Sequence, residues 1–208
     1  MSDPSPLPDD EIASWYADKS FSADWTTWHF AHWVEFLRPL RSTPVRVLEI
    51  GSWEGRSALF FLNYFSASHV VCVDTFGGNV EHMRNPHFAA LVPETERRFD
   101  ANVAAFGTRV EKIKGPSTDV LPQLGIAARR FDIVYVDGSH LPADVYSDGV
   151  LAWPMVARAG IVVFDDYEFD EIKDESERTK RGIDAFLAAF EGQYRVIHKA
   201  YQVVIAKL

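Results

Sequence analysis

Two apolar runs that each end in acidic residues constrain the fold of this chain most strongly. Residues 131–137 read Phe-Asp-Ile-Val-Tyr-Val-Asp, and residues 160–166 read Gly-Ile-Val-Val-Phe-Asp-Asp. Both runs have the length and the β-branched content of a buried strand. The two strand ends lie 165 − 137 = 28 residues apart, which is enough for a crossover helix between neighbouring parallel strands. We therefore predict that Asp137, Asp165 and Asp166 meet at one edge of a sheet, where open α/β folds bind ligands.

Such a cluster of carboxylates predicts a metal site. The like charges repel one another, and divalent cations such as Mg²⁺ prefer oxygen ligands. We expect Asp137, Asp165 and Asp166 to be the metal ligands. Because adjacent side chains of an extended strand point in opposite directions, the strand has to end between Asp165 and Asp166 if both bind one ion. The alternative is that the three residues cap turns at strand ends.

The rest of the chain alternates predicted strands and helices. The predicted strands cover residues 45–50, 70–73, 110–114, 131–136, 161–164, 194–198 and 201–206. The last two have no room for a helix between them, so they should pair antiparallel. Residues 75–86 are predicted as a loop, and Pro93 as an interruption of the helix that follows. The pattern indicates one domain over residues 41–208, with an α/β fold: a Rossmann-like, doubly wound, seven-stranded sheet, mostly parallel with an antiparallel C-terminal strand.

The N-terminal forty residues have a different character. Residues 1–10 are acidic and proline-rich, which is typical of a disordered tail. Residues 11–40 form a predicted helical segment, in which Trp25, Trp28 and Phe36 recur at helical spacing. We expect this aromatic stripe to pack on the domain core. The alternative is that Trp25, Trp28 or His29 forms a wall of the substrate site.

Composition narrows the class of protein. The net charge is −9, which disfavours binding to a phosphate backbone, so we expect no nucleic-acid partner. We predict that Asp144 and Asp148 share a solvent-exposed helix face. No apolar run approaches the ~20 residues of a membrane span, and the first residues lack the pattern of a signal peptide. The single cysteine, Cys72, fits a reducing compartment. We therefore expect a cytoplasmic protein.

A strand, a glycine turn and a helix start predict a cofactor site over residues 45–57. A dinucleotide-binding turn would need glycines two and five residues after Gly51, but those positions hold Trp53 and Arg56. Asp74 lies 74 − 51 = 23 residues after Gly51, where an acidic residue can bind both ribose hydroxyls. Capping of a turn is the alternative role for Asp74. With the Gly-Pro-Ser sequence at 115–117, the spacing favours an adenosine ligand without a pyrophosphate.

From these residues onward the chain resembles the class I S-adenosylmethionine-dependent methyltransferases, over roughly residues 40–208. The resemblance implies that the turn from Glu49 to Gly55 cradles the methionine part of the cofactor. It also implies a ribose contact at Asp74 and an adenine contact near Pro116 and Ser117. The cofactor-binding residues that we predict on this basis are Glu49, Gly51, Ser52, Gly55, Ser57, Asp74, Thr75, Pro116, Ser117 and Asp137.

The resemblance is closest to the Mg²⁺-dependent O-methyltransferases, including those that act on catechols and on macrolide and aminocoumarin sugars. Asp137, Asp165 and Asp166 match their metal ligands. His140 lies where the catechol enzyme has a catalytic lysine, and imidazole titrates near neutral pH, so we predict His140 as the general base. The sugar-modifying relatives have a carboxylate two residues after the first ligand, where this chain has Ser139. A structural contact at the start of a helix is the alternative role for His140.

The predicted function is therefore transfer of a methyl group from S-adenosylmethionine to an oxygen of a small hydroxylated molecule, with Mg²⁺ or another divalent cation. Dimers are common among such proteins, so the resemblance also suggests a homodimer. Three alternatives stay open at this point. They are a metal-independent N- or C-methyltransferase, a protein that binds S-adenosylmethionine without catalysis, and a nicotinamide-dependent oxidoreductase.

Overall fold

A computed structural model describes residues 9–170, 172 and 174–208, and seven strands in this part of the chain form one sheet. The strands are β1 (Arg46–Ile50), β2 (His69–Asp74), β3 (Val110–Lys114), β4 (Phe131–Val136), β5 (Val156–Phe164), β6 (Tyr194–Lys199) and β7 (Val203–Lys207). Their order across the sheet is β3-β2-β1-β4-β5-β7-β6. Strand β7 runs antiparallel to both of its neighbours, and the other pairs are parallel. The predicted fold class is confirmed.

Nine α-helices of the described residues surround or border this sheet. They are α1 (Asp9–Ser14), α2 (Phe30–Leu37), α3 (Arg56–Tyr64), α4 (Val80–Arg84), α5 (Pro86–Ala89), α6 (Val92–Val103), α7 (Ser117–Ile126), α8 (Pro142–Ala152) and α9 (Thr179–Ala189). Short 3₁₀ helices cover Thr27–His29, Arg38–Leu40, Ala104–Arg109, Trp153–Met155 and Glu175–Glu177. Within the described ranges, none of the helices has the length and apolar character that a membrane crossing requires.

Two predictions about the segment after β2 are wrong. Residues 75–86 are not a loop throughout, because the Asn79 side chain accepts a hydrogen bond from the His82 N–H (2.9 Å) and so caps α4. Pro93 does not interrupt its helix either. It is the second residue of α6, where proline is tolerated because the first-turn N–H groups have no partner inside the helix.

The sheet separates two apolar layers. Helices α7, α8 and α9 pack on one face, and α2, α3 and α6 pack on the other. Because side chains alternate along a strand, β4 directs Val134 and Val136 to the first layer and Ile133 and Tyr135 to the second. Asp137, two residues after Tyr135, continues the second set. The carboxyl ends of the strands therefore bring polar side chains to the edge next to α2 and α3.

The N-terminal segment is helical only in part, because residues 15–26 lie outside its helices, and the predicted aromatic stripe is out of phase with the buried face. Helix α2 buries Phe30, Trp33 and Leu37, whereas Trp25 and Trp28 are 42% and 54% exposed. The prediction of core packing is wrong for these two tryptophans, because both precede α2. Residues 9 and 10 begin α1 instead of belonging to a tail, and residues 1–8 of the predicted tail lie outside the described residues.

Candidate active site

The turn after β1 packs directly against the end of β4. Gly51 has a φ of +86°, and a Cβ atom built on it would lie 2.0 Å from the carbonyl oxygen of Asp137. Only glycine fits such a close approach in this left-handed conformation. The Asp137 N–H also donates to the carbonyl of Ile50 (2.8 Å). The predicted cofactor turn and the predicted metal residues therefore share one edge of the sheet.

Glu49 is a fully buried carboxylate without a hydrogen bond to any described residue. Burial raises the pKa of Glu49 to about 7. The hydroxyls of Ser52 and Ser57 and the thiol of Cys72 lie near enough to lower this pKa, but not in hydrogen-bonding geometry. The Ser52 hydroxyl oxygen is also buried without a partner in the described structure. Buried polar groups are usually paired, so this pocket is suited to a ligand that brings hydrogen-bond donors or a positive charge.

Asp74, the predicted ribose ligand, organises the same turn. One carboxylate oxygen accepts from the N–H groups of Ser52 (2.6 Å) and Trp53 (2.8 Å), and the other accepts from Phe76 (2.6 Å). Burial raises the pKa of Asp74, although these amide donors act against it. The Asp74 carboxylate therefore caps the turn. A ribose hydroxyl would have to bind to the lone pairs of this carboxylate that the three amide groups leave free.

Three other predicted cofactor residues lie around this turn. Gly55, at φ +82°, precedes α3, and a Cβ atom there would come within 3.0 Å of the Phe99 ring. Ser57 is buried in the first turn of α3, on the side of Glu49. Thr75 is exposed, and its hydroxyl accepts from the Gly77 N–H (3.1 Å).

The predicted adenine segment has a buried acid behind it. Pro116 is exposed and precedes α7, which begins at Ser117. Asp148 on α8 is only 2% exposed, so its predicted exposure is wrong; Asp144 is partly buried. The α8 face that carries Asp148 turns toward Gly138 and Ser117. Burial raises the pKa of Asp148 to about 6, and the Ser117 hydroxyl opposes this.

The metal-binding prediction concerns the ends of β4 and β5, where Asp137, His140 and Asp166 converge. One ligand atom from each of these three residues lies within 4.8 Å of the others, which makes the group a candidate cation site. His140 Nε2 lies 2.9 Å from Asp166 Oδ2. The Tyr201 hydroxyl donates to the other oxygen of Asp166 (2.8 Å). The arrangement offers two carboxylates and one imidazole to an ion.

Asp165 and Asp166 have different surroundings, and both lie beyond the end of the strand. Strand β5 stops at Phe164, and Asp166 has a φ of +60°. This left-handed residue breaks the alternation of the strand. Asp165 continues the face of Val163 toward α2, whereas Asp166 turns toward His140 and Tyr201.

The Asp165 carboxylate is occupied by protein groups. It is 6% exposed and accepts hydrogen bonds from the Tyr135 hydroxyl and from Gln202 Nε2 (2.9 Å). Its second oxygen accepts from the Asp166 N–H (2.8 Å) and lies 3.5 Å from His29 Nε2. The group of ligand atoms within 4.8 Å does not include Asp165.

Sequence reasoning missed Tyr135 and Gln202. Tyr135 stands two residues before Asp137, so the period of a strand places both side chains on one face, and that signal could have been used. Gln202 comes 37 residues after Asp165, and nothing in the sequence pattern marks it.

The carboxylates of Asp137, Asp165 and Asp166 repel one another. Burial, together with the charges of Asp165 and Asp166, raises the pKa of Asp137 well above its ordinary value. Burial and the Asp166 charge raise the pKa of Asp165 to about 7. Burial also acts to raise the pKa of Asp166, but the hydrogen bond and charge of His140 and the Tyr201 hydroxyl hold it below normal. A divalent cation would relieve this repulsion, and the oxygen-rich donor set fits Mg²⁺ or Mn²⁺.

An aromatic rim, formed by Trp25, Trp28 and Tyr201, adjoins the cluster through Tyr201, which contacts Asp166. The Trp28 ring contacts the Tyr201 ring edge-on, with 4.6 Å between centroids. Trp28 Nε1 donates to the carbonyl of Trp25 (2.9 Å), and the Trp25 ring stacks on His82 at 5.4 Å. The half-exposed ring of Trp28 thus lies one side chain away from Asp166.

The sequence and the fold are both similar to those of known methyltransferases. The chain is 29% identical over 163 residues to the mycinamicin VI 2''-O-methyltransferase of Micromonospora griseorubida, covering 75% of this chain and 35% of that protein. The MycE methyltransferase in complex with Mg and SAH superimposes with a TM-score of 0.64 at 18% identity, covering 95% of this chain and 53% of that one. The O-methyltransferase TomG from Streptomyces achromogenes, in complex with SAM, gives 0.63 at 18% identity, covering 97% and 91%.

The chain spans about half the length, or less, of the curated relatives it matches. Because the two solved structures are only 18% identical to this chain, they support the fold alone. A family model described as a methyltransferase domain matches residues 48–167. That range includes the last three residues of β1, the glycine turn, Asp74, and the ends of β4 and β5. It is more than half of the 208 residues. The chain therefore belongs to this family of methyltransferase domains.

Proposed function

We propose that this protein transfers a methyl group from S-adenosylmethionine to a hydroxyl oxygen of a small molecule, with the help of a divalent cation. The observation that carries the proposal is the convergence of Asp137, His140 and Asp166 beside a turn that contains the unpartnered carboxylate of Glu49. The names of the relatives support it, since they include a sugar O-methyltransferase and structures that contain SAH, SAM and Mg.

The cofactor would lie along the turn after β1. Glu49 and the Ser52 hydroxyl, both buried without partners among the described residues, would receive the ammonium group of the methionine part. Gly51, Gly55 and Ser57 would line the same pocket. Asp74 and Thr75 would contact the ribose, and Pro116, Ser117 and Asp137 would border the adenosine.

The cation would be held by Asp137 and Asp166, with Asp165, the third ligand predicted from the sequence, or His140 completing the set. When bound, a divalent cation lowers the pKa of a coordinated hydroxyl group and fixes its position. The surrounding residues would orient the acceptor. Tyr201 holds Asp166 through its hydroxyl, and the aromatic rim gives an apolar body of the acceptor a surface to pack on.

We propose His140 as the general base that accepts the proton of the acceptor hydroxyl. Its Nε2 atom already lies against Asp166 (2.9 Å), so His140 as a third metal ligand is the alternative that the geometry supports. His140→Ala separates the two roles. If His140 is the base, the variant should bind Mn²⁺ with unchanged affinity but lose activity and the pH dependence of that activity. If His140 is a metal ligand, the variant should bind Mn²⁺ at least about tenfold more weakly.

The proposed function is tested by methyl transfer from radiolabelled S-adenosylmethionine to a panel of catechols, sugars and polyketide-type alcohols. We expect transfer that EDTA abolishes and that Mg²⁺ restores, with binding of S-adenosylhomocysteine unaffected by EDTA. Activity that survives EDTA would favour a metal-independent N- or C-methyltransferase. Cofactor binding without transfer to any acceptor would favour a non-catalytic binding protein.

We further propose a cytoplasmic location and a homodimer. The single, buried Cys72 supports a reducing compartment, and the resemblance to dimeric methyltransferases supports the assembly. Light scattering after size-exclusion chromatography measures the mass directly, and a mass near 23.5 kDa would contradict a homodimer.

A further inference from the structure

We propose that Glu54 and Arg98 are positioning residues for the cofactor turn, which comprises residues 51–55. Together they hold the turn in its left-handed conformation and tie it to α6 and to the N-terminal segment. This inference rests on the proposed function, because it concerns the turn that would bind S-adenosylmethionine. Both residues act through the backbone of the turn and not through a contact with the cofactor.

The cofactor turn has an unusual backbone that needs to be held in place. The angle φ is +86° at Gly51, +46° at Trp53 and +82° at Gly55. Glycine adopts this left-handed conformation readily, but a bulky residue such as tryptophan does so only where its surroundings hold it there. Asp74 restrains one side of the turn, since its carboxylate accepts from two amide groups of the turn. The contacts of Glu54, between Trp53 and Gly55, restrain the other side.

Glu54 is only 1% exposed, and both of its carboxylate oxygens have partners. Its Oε1 atom lies 2.7 Å from Arg98 Nη1, and its Oε2 atom accepts from the Ser22 N–H (2.5 Å). The Glu54 carbonyl accepts from Asn102 Nδ2 (2.9 Å). Arg98 and Asn102 both belong to α6. The turn is therefore attached to α6 at two points and to the N-terminal segment at a third.

The N-terminal segment is itself anchored on both sides of Ser22. The Ser20 N–H donates to Asn102 Oδ1 (3.0 Å), and Asn102 Nδ2 donates to the Ser20 carbonyl (2.9 Å). Arg56, the first residue of α3, lies 2.6 Å from the Asp24 carboxylate and donates to the Thr27 hydroxyl (2.9 Å). Because residues 20–27 are held in this way, the Ser22 N–H is a fixed donor for Glu54.

The buried charge of Glu54 makes Arg98 necessary for this arrangement. The Glu54 side chain has no exposed surface, whereas the Arg98 side chain is 20% exposed. Removing one partner of a buried ion pair leaves an unpaired charge, which is costly. Without Arg98, Glu54 would turn toward water and would pull the backbone of Trp53 and Gly55 with it. The apparent affinity for the cofactor would then fall in proportion to the fraction of molecules whose turn stays competent.

The test is the dissociation constant for S-adenosylhomocysteine, measured by calorimetry on folded protein, together with hydrogen–deuterium exchange of residues 51–57 without cofactor. We expect Arg98→Met to bind about tenfold more weakly and to exchange faster in the turn. Arg98→Lys keeps the positive charge and should bind more tightly than Arg98→Met. The matched control is Arg97→Met, at the preceding position of α6, where the side chain is 69% exposed and pairs with Glu94 on the surface. It should match the wild type in both measurements.

Wild-type affinity in Arg98→Met would overturn the inference, even if the melting temperature fell, because the pair would then serve stability alone. An equal loss in Arg97→Met would also overturn it, because removal of any positive charge from α6 would then suffice. If Arg98→Met fails to fold, Glu54→Gln removes the charge from the other side and should weaken binding in the same direction. A wild-type protein that does not bind S-adenosylhomocysteine would overturn both the proposed function and this role. Wild-type binding with an unchanged Arg98→Met would overturn the positioning role alone.

Discussion

Two neighbouring regions, the cofactor turn after β1 and the candidate cation site at the ends of β4 and β5, surround their buried acidic residues differently. At the cofactor turn, Glu49 is fully buried and has no hydrogen bond from the described residues. At the candidate cation site, Asp165 is almost as deeply buried, yet each of its oxygens has a donor. The first arrangement is suited to a ligand that supplies the missing partners. The second is suited to holding neighbouring groups in place before a ligand arrives.

This contrast separates an acid that lacks partners from an acid whose direction is already set. A carboxylate without partners gains most when a cationic group arrives, because burial has already removed its water. A carboxylate that already accepts hydrogen bonds is held in place, and a ligand can bind only to the lone pairs that remain. Each of the following predictions changes one side of this comparison.

The largest expected effect is at Asp166. Asp166→Asn keeps the size of the side chain but removes the charge of a proposed ligand, so Mn²⁺ affinity and methyl transfer should both fall by at least about 100-fold. Isothermal titration calorimetry with Mn²⁺ measures the binding, and affinity for S-adenosylhomocysteine should stay near that of the wild type. Retained Mn²⁺ affinity would place the ion elsewhere.

The second effect is a pH-dependent stability that comes from Glu49. Burial raises its pKa from 4.5 to about 7, so the fold favours the protonated acid. This stabilisation is complete below pH 4.5 and is lost as the pH rises through 7, by at most about 3 kcal/mol. Glu49→Gln removes the titration, so without cofactor its stability relative to the wild type should increase from pH 5 to pH 8.

Urea unfolding at the two pH values measures this difference. Glu35→Gln, at an exposed position of α2, is the control and should show no such trend. A constant difference between Glu49→Gln and the wild type would mean that Glu49 is not held in its protonated form.

The third effect concerns cofactor affinity at the same residue. Charge-assisted hydrogen bonds contribute about 1.5–3 kcal/mol, so Glu49→Gln should weaken binding of S-adenosylhomocysteine about tenfold or more. Calorimetry at pH 7.5 measures the dissociation constant. Unchanged affinity in this variant, with intact folding, would remove Glu49 from the cofactor site.

The smallest effect is expected at the aromatic rim. Trp28→Ala removes a half-exposed ring next to Tyr201, and aromatic contacts of this type contribute about 0.5–1.5 kcal/mol. We expect a rise in the acceptor KM of about 3–10-fold with unchanged Mn²⁺ and cofactor affinity. Ile126→Ala, at an exposed position of α7, is the control. An unchanged KM would place the acceptor away from the rim.

The strand pattern was sufficient to predict the sheet, its antiparallel strand and the meeting of the strand ends. The same pattern was not sufficient to predict where the side chains point at the ends of the strands. The alternation rule applies only while the strand continues, and both acids follow the end of β5, where Asp166 has a left-handed backbone. The assignment of Asp137, Asp165 and Asp166 as ligands and of His140 as the base stays a prediction.

The sequence pattern also could not predict hydrogen-bond partners that are far apart in the chain, for a different reason. Tyr135 reads as one more apolar residue of a buried strand, and its hydroxyl matters only because Asp165 arrives from the next strand. Gln202 and Trp33 are 169 residues apart in the chain, and no local signal connects them. In the N-terminal segment, spacing alone selected Trp25 and Trp28, although the buried face of α2 is formed by Phe30, Trp33 and Leu37.

The most direct measurement is a crystal structure of the protein grown with S-adenosylhomocysteine and Mn²⁺, with data collected for the anomalous signal of manganese. We predict one anomalous peak between the carboxylates of Asp137 and Asp166, beside cofactor density that contacts Glu49. Cofactor density in the turn after β1 with no peak between these two carboxylates would contradict a metal-dependent methyl transfer at this site.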